Sequence, residues 1–138
     1  MIGMIVTGHG SFGTGMASAV KLLAGIPEKF MAVDFRQEDS ADDLEMNLKH
    51  AVREIGNESG ILILCDLVND TPYRTAVELK EKLAEEYRIE IVGGVNLGML
   101  VQINLARGYV ANVSDLADLA VDEGRKQILK YEEEEENS

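Results

Sequence analysis

The chain has 138 residues, 46% hydrophobic and 28% charged, a size and composition suited to one globular domain with its own core. Thirteen lysines and arginines against 25 aspartates and glutamates leave a formal charge of −12. That field repels polyanions and excludes a nucleic-acid partner. No run of about 18 apolar residues is present to cross a membrane, and the short run from Met1 to Val6 has no basic leader ahead of it. One cysteine, Cys65, makes no internal disulfide, so a cytoplasmic protein is expected.

In chain order, four apolar runs recur at spacings of about 30 residues, the length of a βαβ unit: Ile2 to Val6, Phe30 to Phe35, Ile61 to Leu64 and Ile89 to Val95. They are near-continuous rather than alternating, as in strands buried on both faces of a parallel sheet. The segments between them carry helical stripes: Met16, Val20 and Leu23; then Leu44, Leu48, Ala51 and Ile55; then Ala76, Leu79 and Leu83. Ser40 is placed to cap the second helix, with Asp42 and Asp43 in its first turn. Thr71 and Pro72 read as the N-cap and first-turn proline of the third. Gly25 and Gly56 stand where helices stop. After the fourth strand, Met99 to Arg107 and Ser114 to Tyr131 read as two further helices.

The pattern predicts a doubly wound α/β domain over residues 1–130, with a mainly parallel sheet of order 2-1-3-4 and helices on both faces. Residues 131–138, containing the run Glu132 to Glu136, form a solvated acidic tail. In such a sheet the functional crevice lies at the carboxyl ends of the strands, where the strand order switches.

Those ends carry Thr7-Gly8-His9-Gly10-Ser11-Phe12-Gly13, Asp34, Cys65-Asp66 and Val95-Asn96. The first satisfies GxGxxG between a strand and a helix, with Asp34 about 20 residues on, the dinucleotide-binding fingerprint. Against that reading, the chain has no room for a substrate domain, and a histidine occupies the loop where backbone must crowd the pyrophosphate. A second reading makes His9 a nucleophile toward phosphorus. The amides from Gly10, Ser11 and Phe12 onward would hold phosphoryl oxygens, and Thr71 and Pro72 open another helix on the same crevice. With strands one and three adjacent, Asp66 lies beside His9 and orients one ring nitrogen. A third reading is a plain loop histidine next to a strand-end aspartate. Cys65 reads as a buried strand residue, His50 as a surface residue, and no ligand-pair spacing points to a metal. Asp34 lines or caps the site, Tyr73 and Arg74 lie at its rim, and Gly10-Ser11-Phe12-Gly13 lacks the spacing of a GxSxG elbow.

Taken together, Ile5-Val6-Thr7-Gly8-His9-Gly10, Val33-Asp34-Phe35, Leu62 to Asp66, Thr71-Pro72, Val92-Gly93-Gly94-Val95-Asn96-Leu97 and Met99-Leu100-Val101 resemble, in order, the mannose-type enzyme IIA of the bacterial phosphoenolpyruvate-dependent sugar phosphotransferase system. The likeness runs from Met1 to about Lys130. It implies a phosphocarrier without metal or cofactor. His9 would take a phosphoryl group from phospho-HPr and pass it to a histidine of a IIB domain, which serves the membrane components IIC and IID. Asp66 would be the partner of His9. It also implies a homodimer that exchanges an antiparallel edge strand, drawn from about Tyr109 to Val113 or from the terminal part of the chain. Two departures stand out. Asn69-Asp70-Thr71-Pro72 replaces the glycines and serine common before the proline, and Gly98 stands where proline is common, which loosens the turn after the fourth strand. A phosphorylation-dependent regulatory module is the other expectation, with a free-standing carrier favoured because the chain ends soon after the domain.

Overall fold

The computed structural model describes residues 1–134. Its apolar runs form four parallel strands, β1 (Gly3–His9), β2 (Phe30–Phe35), β3 (Ile61–Cys65) and β4 (Ile89–Gly93), in the order β2-β1-β3-β4. They alternate with helices α1 (Phe12–Ala24), α2 (Ala41–Ile55) and α3 (Thr71–Lys82), and are followed by α4 (Leu97–Ala106) and α5 (Val113–Lys126). The two central strands are buried along almost their whole length, whereas the edges β2 and β4 are half-buried. This is why the central runs show no polar alternation.

Successive residues of each strand feed opposite layers. Met4, Val6, Leu62 and Leu64 pack with Val20 of α1, Leu100 and Ile103 of α4, and Leu116 and Ala120 of α5. Ile5, Ile61, Ile63 and Cys65 pack with Leu44, Leu48 and Val52 of α2 and with Ala76 and Leu79 of α3. The connection after β1 therefore leaves toward one face and the connection after β3 toward the other. The crevice between the ends of β1 and β3 is the switch point.

Several local expectations are met for the reasons given. Ser40 and Asp43 form a reciprocal capping box, with Asp43 N donating to Ser40 Oγ at 3.1 Å and Ser40 N to Asp43 Oδ2 at 2.9 Å. Gly25 and Gly56 follow α1 and α2 with φ of 78° and 90°, backbone that favours glycine.

Other expectations are corrected. The cap of α3 is Asp70, with Thr71 the first helical residue. Leu23 is 62% exposed and does not join the stripe of Val20. β4 ends at Gly93 because Gly94 turns with φ of 75°. The turn after it is not loose: Val95 N donates to Cys65 O at 3.0 Å and Asn96 Nδ2 to Gly124 O at 2.9 Å, and Gly98 already lies within α4. α5 stops at Lys126, five residues early, and residues 127–134 have no regular structure.

No antiparallel strand forms among the described residues. Tyr109 N closes a turn onto Ala106 O at 2.8 Å, and Asn112 caps α5 by accepting from Asp115 N at 2.9 Å, so the segment from Tyr109 to Val113 is committed to a helix–helix connection. The end of the acidic run, from Glu135 to Ser138, lies outside the described residues.

Candidate functional site

His9 is the last residue of β1, paired in register with Phe35 of β2, and its side chain is 43% exposed. Asp66 follows β3 directly, and its amide donates to Thr7 O at 3.1 Å, fixing it beside β1. Its Oδ2 accepts from the His9 amide at 2.9 Å and lies 2.8 Å from His9 Nδ1, while Oδ1 accepts from the Leu67 amide at 2.8 Å. Burial is the largest single influence on this carboxyl and pushes it up. The His9 amide, the His9 ring with its charge and the Leu67 amide together outweigh burial and hold it below the usual aspartate value. Asp66 is thus ionised at neutral pH and can only accept, so Nδ1 carries a proton and the lone pair of the neutral ring is on Nε2.

The glycines explain how the two residues meet. A β-carbon on Gly8 would fall 2.6 Å from both Asp66 Cγ and a ring carbon of Phe12, so only glycine lets the carboxylate reach the histidine backbone. Gly10, with φ of 60°, turns the chain out of the strand and donates its amide to Phe35 O at 2.7 Å. The Phe35 ring meets the imidazole edge-on, with centroids 5.8 Å apart and planes at 66°. The site faces open surface. A groove of about 410 Å³ elsewhere, lined by Thr14, Asp34, Arg36, Asn47 and His50, runs along β2 and not over His9.

The remaining expected residues separate. Ser11 caps α1 without a side-chain hydrogen bond, and the Phe12 and Gly13 amides have no protein acceptor among the described residues. The Gly10 amide is already committed to Phe35. Thr71 donates its amide to Asp70 Oδ1 at 2.8 Å, which leaves its hydroxyl. Pro72 is buried and has no N–H, so it sits in the first turn of α3 and donates nothing. Asp70 brings a second carboxylate to the ring, with Oδ1 3.7 Å from Nε2.

The glycine fingerprint has a packing explanation. Asp34 accepts from Thr14 N at 2.9 Å and from Thr14 Oγ1 at 2.8 Å, so both its oxygens are engaged within the protein. A β-carbon on Gly13 would lie 2.9 Å from Asp34 Oδ1 and from Val6 O, so this glycine seats α1 against the sheet. Thr14 carried no signal in the sequence beyond its place in a helix, and Phe35 only its place in a strand and in the Val33-Asp34-Phe35 segment of the resemblance. Cys65 is fully buried, and burial, aided by the Asp66 charge, pushes its thiol up to about 12, so it supplies no thiolate. His50 is exposed and 3.9 Å from Glu54. Among the described residues no three His, Cys, Asp or Glu side chains gather as a metal-ligating group.

The doubly wound domain offers an oriented imidazole on open surface, and the comparisons with known proteins say which system it belongs to. The family described as "PTS system fructose IIA component" matches residues 3–121. The PTS system fructose-specific EIIA component of Bacillus subtilis (strain 168) is 29% identical over 111 residues, 80% of this chain and 74% of that protein. The PTS system mannose-specific EIIAB component of Escherichia coli (strain K12) is 24% identical over 127 residues, which are 92% of this chain but 38% of that longer protein. The crystal structure of phosphotransferase system component EIIA from Streptococcus agalactiae superposes with a TM-score of 0.86 at 29% identity, covering 94% of this chain and 97% of that one. The chain is a component of a sugar phosphotransferase system. Within that system it belongs to the fructose IIA component family.

Proposed function

We propose that the chain is a phosphohistidine carrier, charged at His9 Nε2 by phospho-HPr and discharged to a histidine of a IIB domain or protein that serves IIC and IID in the membrane. The observation that carries this is the asymmetry of the ring: Nδ1 is held by Asp66 at 2.8 Å, and the side chain is 43% exposed.

In the transfer, the Nε2 lone pair attacks phosphorus in line. The new N–P bond forms as the donor N–P bond breaks, and that bonding pair returns to the donor imidazole. The Nδ1 proton stays where it is, donated to Asp66, whose negative charge balances the cationic phosphorylated ring. Positioning and oxygen stabilisation then supply most of the catalysis. The Phe12 and Gly13 amides and the Thr71 hydroxyl are the groups assigned to the oxygens. Leu67 and Val68, 50% and 57% exposed, give a partner protein an apolar rim beside the site. The carrier domain spans residues 1–130, and a homodimer sharing an edge strand belongs to the same reading.

The test is incubation with phosphoenolpyruvate, enzyme I and HPr, followed by intact mass. One added phosphoryl group, labile in acid and absent from a His9→Ala protein, is expected. Undiminished incorporation in His9→Ala, or none in the wild type beside an active control carrier, overturns the assignment.

A further inference from the structure

Asp70 stands beside the nitrogen of His9 that would carry a phosphoryl group. Its Oδ1 is 3.7 Å from Nε2, too far for a hydrogen bond and close enough that a phosphoryl group on that nitrogen would press against the carboxylate. The loop is shaped to present it. Asn69 adopts φ of 60°, a left-handed conformation that asparagine tolerates better than most residues, and Asp70 follows in extended backbone as the cap of α3. The same Oδ1 accepts from Thr71 N at 2.8 Å, which ties the carboxylate to the helix start. Among the described residues no lysine or arginine nitrogen lies within 4.0 Å of Asp70, so apart from the helix start that it caps, its charge faces the ring with no counter-cation beside it.

A helix start needs a cap but not a charged one, since serine and asparagine cap as well as aspartate. The charge is therefore surplus to the fold and lies at the reacting atom. We propose that Asp70 raises the phosphoryl-transfer potential of this carrier: its carboxylate repels the phosphoryl group on His9 Nε2, so the charged state is less populated and discharges more readily than with a neutral cap.

This inference rests on the carrier reading above. The step is the one already written, with the same N–P bond formed and broken; Asp70 changes only the relative free energy of its two ends. Two unit charges about 4 Å apart shift an equilibrium by about fivefold even in bulk water. A phosphoryl group carries close to two negative charges and leaves one positive charge on the ring, so the step adds a net charge of about −1 beside Asp70 and a shift of up to about fivefold is expected. As a repulsion partly open to solvent, it is weakened by salt.

The test measures the equilibrium constant for phosphoryl exchange with HPr in the wild type, Asp70→Asn and Asp70→Ser, at low and high salt, by intact mass. Both variants keep a capping side chain, and thermal unfolding reports whether the fold is kept. The expected result is an exchange constant up to about fivefold higher in both variants at low salt, with the wild type approaching them as salt rises. Equal constants in wild-type and variant proteins, or a lower constant in both variants, would overturn the role of Asp70 and leave the carrier reading standing. A wild type that takes no phosphoryl group at all would overturn both. A variant constant that is higher but equally so at every salt concentration would rule out charge repulsion as the cause.

Discussion

One carboxylate, Asp66, binds two backbone amides and an imidazole nitrogen at once, which makes its replacement informative. Asp66→Asn keeps one acceptor oxygen but turns an N–H toward a donor and removes the charge facing the ring. A charge-assisted bond of this kind contributes about 1.5–3 kcal/mol, so phosphoryl transfer to His9 is expected to slow by about ten- to a hundredfold. Rapid-quench transfer from phospho-HPr checks this, and a wild-type rate refutes it. The sign of the pH dependence follows from the lowered pKa. The contribution of Asp66 to stability is fully present above the ordinary value of 3.8 and is lost as pH falls through the folded-state value below it. Urea unfolding between pH 3 and 7 should show the wild type losing its advantage over Asp66→Asn only below about pH 4.

Cys65 makes the opposite case. Its thiol ionises near 12 when folded and at 9.0 otherwise, so it stabilises the fold below pH 9 and that contribution falls as pH rises between the two values. At pH 8, iodoacetamide should label it only as fast as the protein unfolds.

The pairing of His9 with Asp66 was legible because both end strands that the order 2-1-3-4 makes neighbours. The edge-on Phe35 and the clasp of Thr14 on Asp34 were not, because they depend on the β1–β2 register and on how deeply α1 seats.

Helix α2 shows what makes an element readable. Its buried face, Leu44, Leu48, Ala51 and Ile55, keeps one spacing throughout, its start is a capping box and its stop is a left-handed glycine. Stripe, cap and stop agree, and local signals that agree specify an element. Ser40→Ala removes the acceptor for Asp43 N and is expected to cost about 1 kcal/mol, measurable as a shift in the denaturant midpoint at unchanged slope; an unchanged midpoint would refute the role of the box.

The end of α5 shows the reverse. Ile128, Leu129 and Tyr131 extend an apolar pattern past Lys126, and all three are more than three-quarters exposed. What ends the helix is tertiary: no described surface covers these three side chains, and the last turn tightens, with Gln127 N donating to Gly124 O at 3.2 Å and Ile128 N to Arg125 O at 3.3 Å. A packing stop of this kind leaves no mark in the neighbouring residues.

Across the whole molecule, the end opposite His9 is closed by Arg107, a residue that reads in sequence only as a cation at the end of a helix. It is 3% exposed. Nη1 donates to Ile2 O at 3.0 Å and Lys29 O at 3.1 Å, and Nη2 donates to Glu28 O. One guanidinium thus gathers the start of β1, the approach to β2 and the end of α4, across 105 positions of sequence. Burial pulls its pKa down and the Glu28 charge opposes this, yet arginine keeps its charge in such sites, and its fork reaches several acceptors where an ammonium reaches fewer. Arg107→Met keeps much of the length and apolar stem but leaves three carbonyls short of a donor. The expected loss is about 2–3 kcal/mol, the scale for leaving buried acceptors without their donor, and Arg107→Lys should recover only part of it. Because the cluster lies at the amino ends of the strands, His9 should still accept a phosphoryl group at the wild-type rate at temperatures where the variant is folded. Equilibrium unfolding and phosphoryl transfer measured on one preparation test both halves. If Arg107→Met loses transfer while it remains folded, the two ends of the sheet are coupled, and the separation of a stabilising end from a reactive end is wrong.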